Sequence, residues 1–542
     1  MSTSYQTANG AFTRKSTFFW ASVGATVGLA NLWQFPYLAS LHGGGLFVLI
    51  YLACLLLVTL PLMVTESALG RYSRHGIVLA MDGLIRSTRC SRWWMMAGRL
   101  SVLAAFVVLS YTAVFGSIAL AYVFFGAMGR LSSGSEAEAA AVLSGLVSDP
   151  GQYRYFMAWH AFFLLLVLWV SVQGVARGLE RTMRVVVPGA LVLMLVLFGL
   201  AAWQGRVDGA FEHILDMRPE DVSLGTVKAA LFHAFFTLGL GMGVWTVLGT
   251  YTTPDTRFKR SILAVVLMDT LVAVLAGLMI FALATGSTDF DGERGFSLLF
   301  VSLPVSLAQF PGSQLIIACA FLLVVMIVWT TSLALLEPVV GWLREWTGAP
   351  RGISVVLVGL LVWLAGLTTL LSFNLWAEYR LYGASLFRWL ELFTGGLLIP
   401  LVAILVALFI GWCLTRRLAN QLIGRTPGLF ARIWYWDMRT VLPVVVAYVG
   451  IMYTAFSLNN LCENGSAALW CERPAPLALE IAPDNGSGKA DSDSPATAEQ
   501  GSGPGPAPEE PKNEAKGENG SPEPVDQPEN APKEGEILYH SV

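Results

Sequence analysis

Charge is what this 542-residue chain has least of: Asp, Glu, Lys and Arg make up 13% of it, against 55% hydrophobic residues and a mean hydropathy of +0.61. A soluble globular chain carries about 25% charged residues, so these figures exclude a water-soluble protein and imply an integral membrane protein. Cysteine and histidine, six of each, are scarce too. Cys54, Cys319 and Cys413 fall in apolar spans and Cys90 in a loop, with no spacing that makes a metal centre. Paired catalytic carboxylates, a nucleophile elbow and a phosphate loop are all missing, so the chain does not read as an enzyme. The basic residues are scattered among short loops, which excludes a nucleic-acid partner. His42 and His233 stand alone and read as packing or vestibule residues.

What is present is apolar sequence in long stretches. Eleven segments long enough to cross a bilayer begin near residues 16, 43, 99, 157, 185, 226, 260, 313, 353, 390 and 438. No apolar run or cleavage site precedes Thr17, so the first span reads as an uncleaved anchor. Alternate loops hold the Lys and Arg: Arg14 and Lys15, then Arg71, Arg74, Arg86, Arg89 and Arg92, then Arg177, Arg181 and Arg184. The series continues with Arg257, Lys259 and Arg260, with Arg344 and Arg351, and with Arg416, Arg417, Arg425 and Arg432. The opposite loops carry Glu136, Glu138, Asp149, Asp208, Glu212, Asp216, Asp289, Asp291 and Glu293. The basic side is expected to be cytoplasmic, with the N-terminal segment 1–15 inside and the C-terminus outside.

From Glu463 onward the chain turns rich in Gly, Pro, Ser and Asn, with 16 acidic against 5 basic residues. Residues 461–542 are therefore expected to form a disordered acidic tail after a membrane domain at 16–460. Cys462 and Cys471 flank its start, as a disulfide or as two thiols.

Two spans are interrupted. The first reads Gly-Ala-Thr-Val-Gly-Leu-Ala-Asn-Leu-Trp-Gln-Phe-Pro over 24–36, and the sixth has three glycines in five residues at Gly239, Gly241 and Gly243. Backbone freed at membrane depth survives only where it lines a cavity. Paired interruptions in the first and sixth spans point to an inverted repeat with a site at the bilayer midplane. An acid inside a span, here Asp269, is a functional residue by default.

The residues that carry a resemblance are Asn31 to Tyr37, Gly43-Gly44-Gly45, Pro61-Leu62-Met63, and Glu66 through Gly70-Arg71-Tyr72. Phe235-Phe236-Thr237, Gly295-Phe296 with Pro304, and Thr330-Thr331-Ser332 ahead of Pro338 add to it. From about residue 12 to 457 the chain resembles the neurotransmitter:sodium symporter family. The resemblance implies an all-α membrane fold of eleven helices, a five-plus-five inverted repeat with helices 1 and 6 broken plus one extra helix. Eleven helices look like the bacterial variant, which implies a bacterial inner membrane. It also implies a sodium-coupled symporter that works by alternating access, as a monomer or a dimer.

By resemblance, a first sodium ion is held by Thr26, Asn31, Thr237 and Asp269, and a second by Gly24, Val27, Ile327, Thr330 and Thr331. Hard cations want such oxygens. Asp269 stands where the family commonly has Asn, so transport is expected to need no chloride. The substrate carboxylate is expected at the freed amides of Leu29 and Ala30, with the hydroxyl of Tyr111, and the ammonium at carbonyls near Thr26 and Phe236. Ala25, Thr237 and Thr331 border the same pocket. Gly28 replaces the aspartate of monoamine-transporting relatives, which favours an amino acid. Val107, Phe236, Gly239, Met242 and Leu335 offer no charge to a side chain, so the substrate is expected to be neutral, apolar or aromatic. Gly239 adds room and Ala30 removes it, which leaves the size open.

Gln34 takes the place of the family's outer-gate Arg opposite Glu391, so a neutral hydrogen bond is expected there, with Tyr111 and Phe236 as the lid. The inner gate is expected at Tyr251, Glu337 and Glu345, with Arg14 or Lys15 serving either as its cation or only in topology. A rival reading is a sodium-dependent amino-acid receptor of the same fold that does not transport.

Overall fold

The computed structural model describes residues 10–203, 207–284, 296–424 and 428–463. The tail expected over 461–542, save the helical backbone of 461–463, lies outside them. So do the Cys462 side chain, Cys471, Asp289, Asp291, Glu293, Gly295 and Arg425.

Among the described residues nine helices are long and apolar enough to cross a membrane. The first expected span is not one of them, because it is made of three pieces, α1 (Thr17–Thr26), α2 (Leu29–Leu32) and α3 (Gln34–Leu41). Four continuous helices follow, α4 (Gly45–Ser73), α5 (Arg92–Ala127), α6 (Tyr153–Val172) and α7 (Val175–Trp203). The sixth span is again in pieces, α8 (Leu224–Thr237) and α9 (Val244–Thr250). Then come α10 (Phe258–Leu283), α11 (Ser313–Thr347), α12 (Arg351–Ser372) and α13 (Leu386–Cys413). The short amphipathic α14 (Arg416–Ile423) precedes α15 (Ala431–Asn459). Several helices begin earlier than hydropathy predicts, α7 at Val175 rather than 185 and α5 at Arg92 rather than 99. Helices run on past the hydrocarbon layer into polar residues, which a search for apolar sequence cannot see.

The interruptions have distinct backbone causes. Between α1 and α2, Val27 and Gly28 are extended, with ψ of 104° and −173°. Between α8 and α9, Gly239, Gly241 and Gly243 all have positive φ, 62°, 75° and 68°. Side chains with a Cβ adopt that region at a cost, so the glycine run is what lets the helix stop and restart. The freed groups find partners, as burial demands. Gly28 N donates to Asn31 Oδ1 at 3.0 Å, Gly241 N to Glu66 Oε1 at 2.8 Å, and Trp245 Nε1 to the Leu238 carbonyl at 2.7 Å.

Two helix groups result. In one, α5 packs along α11 and against α6 and α12. In the other, α10 packs on α1, α2 and α3, and α4 packs on α8 and α9. The α4–α9 contact is the tightest: a Cβ on Gly70 would lie 1.7 Å from the Thr246 carbonyl oxygen, and one on Gly249 would lie 2.1 Å from that of Ser67. Small residues on both sides let the two backbones touch, the usual basis of helix association in lipid. α7 borders both groups, touching α1, α10 and α11.

Candidate functional site

The restart at α2 positions the polar residues of the first span. Asn31 Oδ1 caps the break, so its amide nitrogen points to α10 and donates to Asp269 Oδ1 at 3.2 Å. Thr237, at the end of α8, donates to Asn31 Oδ1 at 3.3 Å, and the Thr26 hydroxyl faces the same carboxylate. Residues from three helical tracts thus gather around a fully buried acid. Sequence reasoning named these four together and missed a fifth: the buried Tyr51 donates its hydroxyl to Asp269 Oδ2 at 3.0 Å. A tyrosine in the apolar run of α4 gives no signal of its own; only the fold brings it to α10.

The second cluster is built on one hydroxyl. Thr331 Oγ1 lies 3.5 Å from the Gly24 carbonyl oxygen, 3.1 Å from that of Val27 and 3.2 Å from that of Ile327, and Thr330 Oγ1 lies 2.9 Å from Ile327 O. A single hydroxyl hydrogen cannot serve three carbonyls at once. The excess of oxygen acceptors, all hard and with no nitrogen or sulfur, suits a small hard cation. The 24–27 carbonyls are available because α1 ends there, and α1 is seated so closely that a Cβ on Gly24 would lie 2.7 Å from Val187 Cγ2 of α7.

Beside the break there is space. The nearest atom to a Cβ placed on Gly28 would be the Thr26 carbonyl oxygen, 3.9 Å away. Of the residues expected to line the pocket, Leu29, Ala30, Val107, Tyr111, Phe236, Gly239 and Thr331 are half-buried within tracts that are otherwise mostly buried, while Ala25, Met242 and Leu335 are buried. Those expected residues are apolar apart from two hydroxyls, and they include Leu29 and Ala30, which open α2.

The outer-gate residues are partnered differently from expectation. Gln34 Oε1 lies 3.3 Å from His233 Nδ1, and Glu391 Oε2 accepts from Arg388 Nη1 at 2.7 Å. Arg388 precedes Glu391 by one turn of α13, within direct reach of a carboxylate that Gln34 could only meet as a neutral donor. Tyr453 of α15 also faces Glu391. Tyr111 packs edge-on to Phe387 at 5.9 Å, while Phe236 packs on Phe232 and Tyr453 at 4.7 and 5.4 Å. Among the described residues Tyr111 and Phe236 are not in ring contact.

Of the residues expected at the inner gate, Tyr251 donates to Glu337 Oε2 at 2.6 Å. The cation is neither Arg14 nor Lys15. Arg351, at the start of α12, donates to both oxygens of Glu337, and its Nε donates to the Ser171 carbonyl at 2.8 Å. Arg351 counted in the sequence only as a loop charge, because its partner lies on another helix. Glu345 is elsewhere, accepting from Gly76 N at 2.8 Å with His75 Nδ1 at 3.4 Å. Lys15 pairs with Asp255 at 3.6 Å on the surface. The start of the first span is instead held by Glu180 of α7, which accepts from Thr13 N, Thr13 Oγ1, Arg14 N and Thr17 Oγ1 at 2.7, 2.9, 3.2 and 2.7 Å. Among the described residues no group of three or more His, Cys, Asp or Glu could hold a metal ion.

The geometry has counterparts. A solved structure of MhsT in complex with L-phenylalanine superposes with a TM-score of 0.72 at 26% identity, covering 82% of this chain and 99% of that one. An uncharacterised sodium-dependent transporter of Bacillus subtilis, YhdH, is 30% identical over 446 residues, 80% of this chain and 95% of its own length. A sodium- and chloride-dependent glycine transporter 2 of Xenopus laevis is 24% identical over 402 residues, 61% of this chain and 50% of its own. The family model described as the sodium:neurotransmitter symporter family matches residues 9–135 and 138–464. With its broken first and sixth tracts and their gathered oxygens, the chain belongs to the sodium:neurotransmitter symporter family, and is a sodium-dependent membrane transporter rather than an enzyme.

Proposed function

We propose that this symporter imports a neutral, apolar or aromatic amino acid on the sodium gradient, without chloride, across a bacterial inner membrane. It would cross that membrane eleven times, counting each interrupted tract once, with its N-terminus inside. The observation that carries the reading is the open space at Gly28, next along the chain to Leu29 and Ala30 at the start of α2, and the residues expected to line it are uncharged. An amino acid brings its own carboxylate to those amides, whereas a charged side chain would be buried without a partner. The L-phenylalanine bound to MhsT supports the same class.

One sodium ion would sit among Thr26, Asn31, Thr237 and Asp269, where the carboxylate supplies the negative charge that an anion would otherwise bring. The second would take the carbonyls of Gly24, Val27 and Ile327 with Thr330 and Thr331. Sodium stabilises the form closed on the inside, and substrate completes the first ion's shell. Rocking of one helix group then opens the other face, provided the ligands bind the two forms unequally.

Uptake of labelled neutral amino acids into proteoliposomes, with an inward sodium gradient against a potassium control, tests this. Accumulation of one or a few, unchanged when gluconate replaces chloride and lost in Asn31→Ala and Asp269→Ala, is the expected result. Binding without accumulation would make the chain a receptor, and collapse in gluconate would remove the chloride-independent part.

A further inference from the structure

Far from the midplane, a cavity of about 730 Å3 opens between the C-terminal end of α4, the N-terminal end of α10 and α14. Four cations line it, Arg71, Arg257, Lys259 and Arg260, and among the described residues no carboxylate lines it. The guanidinium groups of Arg71, Arg257 and Arg260 gathered around one cavity repel one another, and an anion would relieve them. The first turn of α10 begins at Phe258, so the positive end of a long helix lies at the same place, although its Phe258 and Ser261 amides already donate to the Thr256 and Arg257 carbonyls. Arg71 is already oriented: it donates to the Thr256 and Pro254 carbonyls at 3.3 and 3.2 Å, with its guanidinium 5.1 Å from the Phe258 ring centroid. Arg257, Lys259 and Arg260 are exposed. Asp255, the acid of the adjoining loop, is paired with Lys15.

The leucines beyond the cations on α10 identify the anion. Leu263, Leu267 and Leu271 are 43%, 48% and 59% exposed, and they succeed Lys259 at intervals of four residues, on one face of the helix. A free phosphate has no use for such a stripe. A phospholipid does, because its headgroup and its acyl chain are joined at the boundary where the stripe meets the cations. α14 turns Ala419, Leu422 and Ile423 into the protein and leaves Arg416, Arg417 and Gln421 exposed.

We propose that this cavity binds the phosphate headgroup of an anionic phospholipid, with an acyl chain along Leu263, Leu267 and Leu271. Basic pockets between membrane helices are the sites such headgroups occupy. The inference rests on the membrane assignment alone and is independent of which substrate is carried.

The test uses the purified full chain in detergent, titrated with phosphatidylglycerol, phosphatidylcholine or inorganic phosphate, reading the melting temperature and the lipid retained in native mass spectrometry. Phosphatidylglycerol is expected to raise the melting temperature and to stay bound, and phosphatidylcholine to do neither. In the triple variant Arg257→Gln, Lys259→Gln, Arg260→Gln the half-saturating phosphatidylglycerol concentration should rise by at least about tenfold. The exposed triple Arg89→Gln, Arg92→Gln, Arg177→Gln, which removes the same charge elsewhere, should leave it unchanged. An unchanged size-exclusion profile and helical circular dichroism show that each variant is folded. Equal effects of the two lipids, equal loss in both triples, or full stabilisation by inorganic phosphate alone would each overturn the proposal.

Discussion

Replacing Tyr251 by Phe removes one hydroxyl and keeps the ring. The ring matters because Phe12 packs edge-on against it at 5.5 Å, and the Phe12 amide donates to the Tyr251 carbonyl at 2.9 Å. What disappears is the 2.6 Å bond to Glu337 Oε2, which ties α9, in the group built on α4 and α10, to α11 in the other. A hydrogen bond to a charged group contributes about 1.5–3 kcal/mol. Glu337 keeps Arg351 and Ser171, so it is not left as a bare buried charge, and the lower end applies. About 1.5 kcal/mol is roughly a tenfold shift toward the form open on the inside. If sodium favours the closed form, linkage requires sodium affinity to fall by up to the same factor. Equilibrium binding of labelled substrate against sodium concentration reads the shift, and hydrogen exchange at the Phe12 amide reads the loosened contact. A sodium half-saturation within twofold of the original, together with unchanged exchange at Phe12, would refute the assignment of this bond as the inner tie.

Thr331→Val keeps the shape of the side chain and removes the hydroxyl shared by three carbonyls, so the Hill slope for sodium in uptake should fall toward one; a slope that stays near two would remove the second site. If the Asp269 carboxylate takes the place of an anion as proposed, Asp269→Asn removes it, and uptake by that variant should become dependent on added chloride, measured against gluconate. Gly249→Ala would bring a Cβ to 2.1 Å from the Ser67 carbonyl oxygen, with no flexible group to yield. Overpacking of this kind costs roughly 1–3 kcal/mol, so the melting temperature should drop by roughly 2–6 °C. Differential scanning fluorimetry would register it.

The broken tracts were legible because their signal is local: Gly28 and the glycines at 239, 241 and 243 interrupt apolar runs that nothing else interrupts. The oxygen clusters were legible through motif resemblance, since Asn31, Thr237 and Asp269 lie in three separate stretches that only a known pattern joins. Partnerships decided by the fold were not. Arg351 and Glu337 are on different helices, and Tyr51 looks like core until α10 brings Asp269 to it. The family pattern sets Glu391 across the vestibule from Gln34, yet Arg388 lies one turn away and a charge takes a charge in preference to an amide. Glu180 gives no signal in the sequence because four donors from residues 13–17 converge on it only in three dimensions.

The backbone contact of Gly70 and Gly249 has a mechanical meaning. α9 and the inner half of α4 touch main chain to main chain over two reciprocal points, so neither can swing without taking the other. α1 is held otherwise: the residues that lead into it are fastened by the carboxylate of Glu180 and by the Phe12 amide on the Tyr251 carbonyl. Of the two half-helices, α9 is therefore tied into α4 along its backbone, whereas α1 is latched at its start by four hydrogen bonds to one carboxylate and one to a carbonyl.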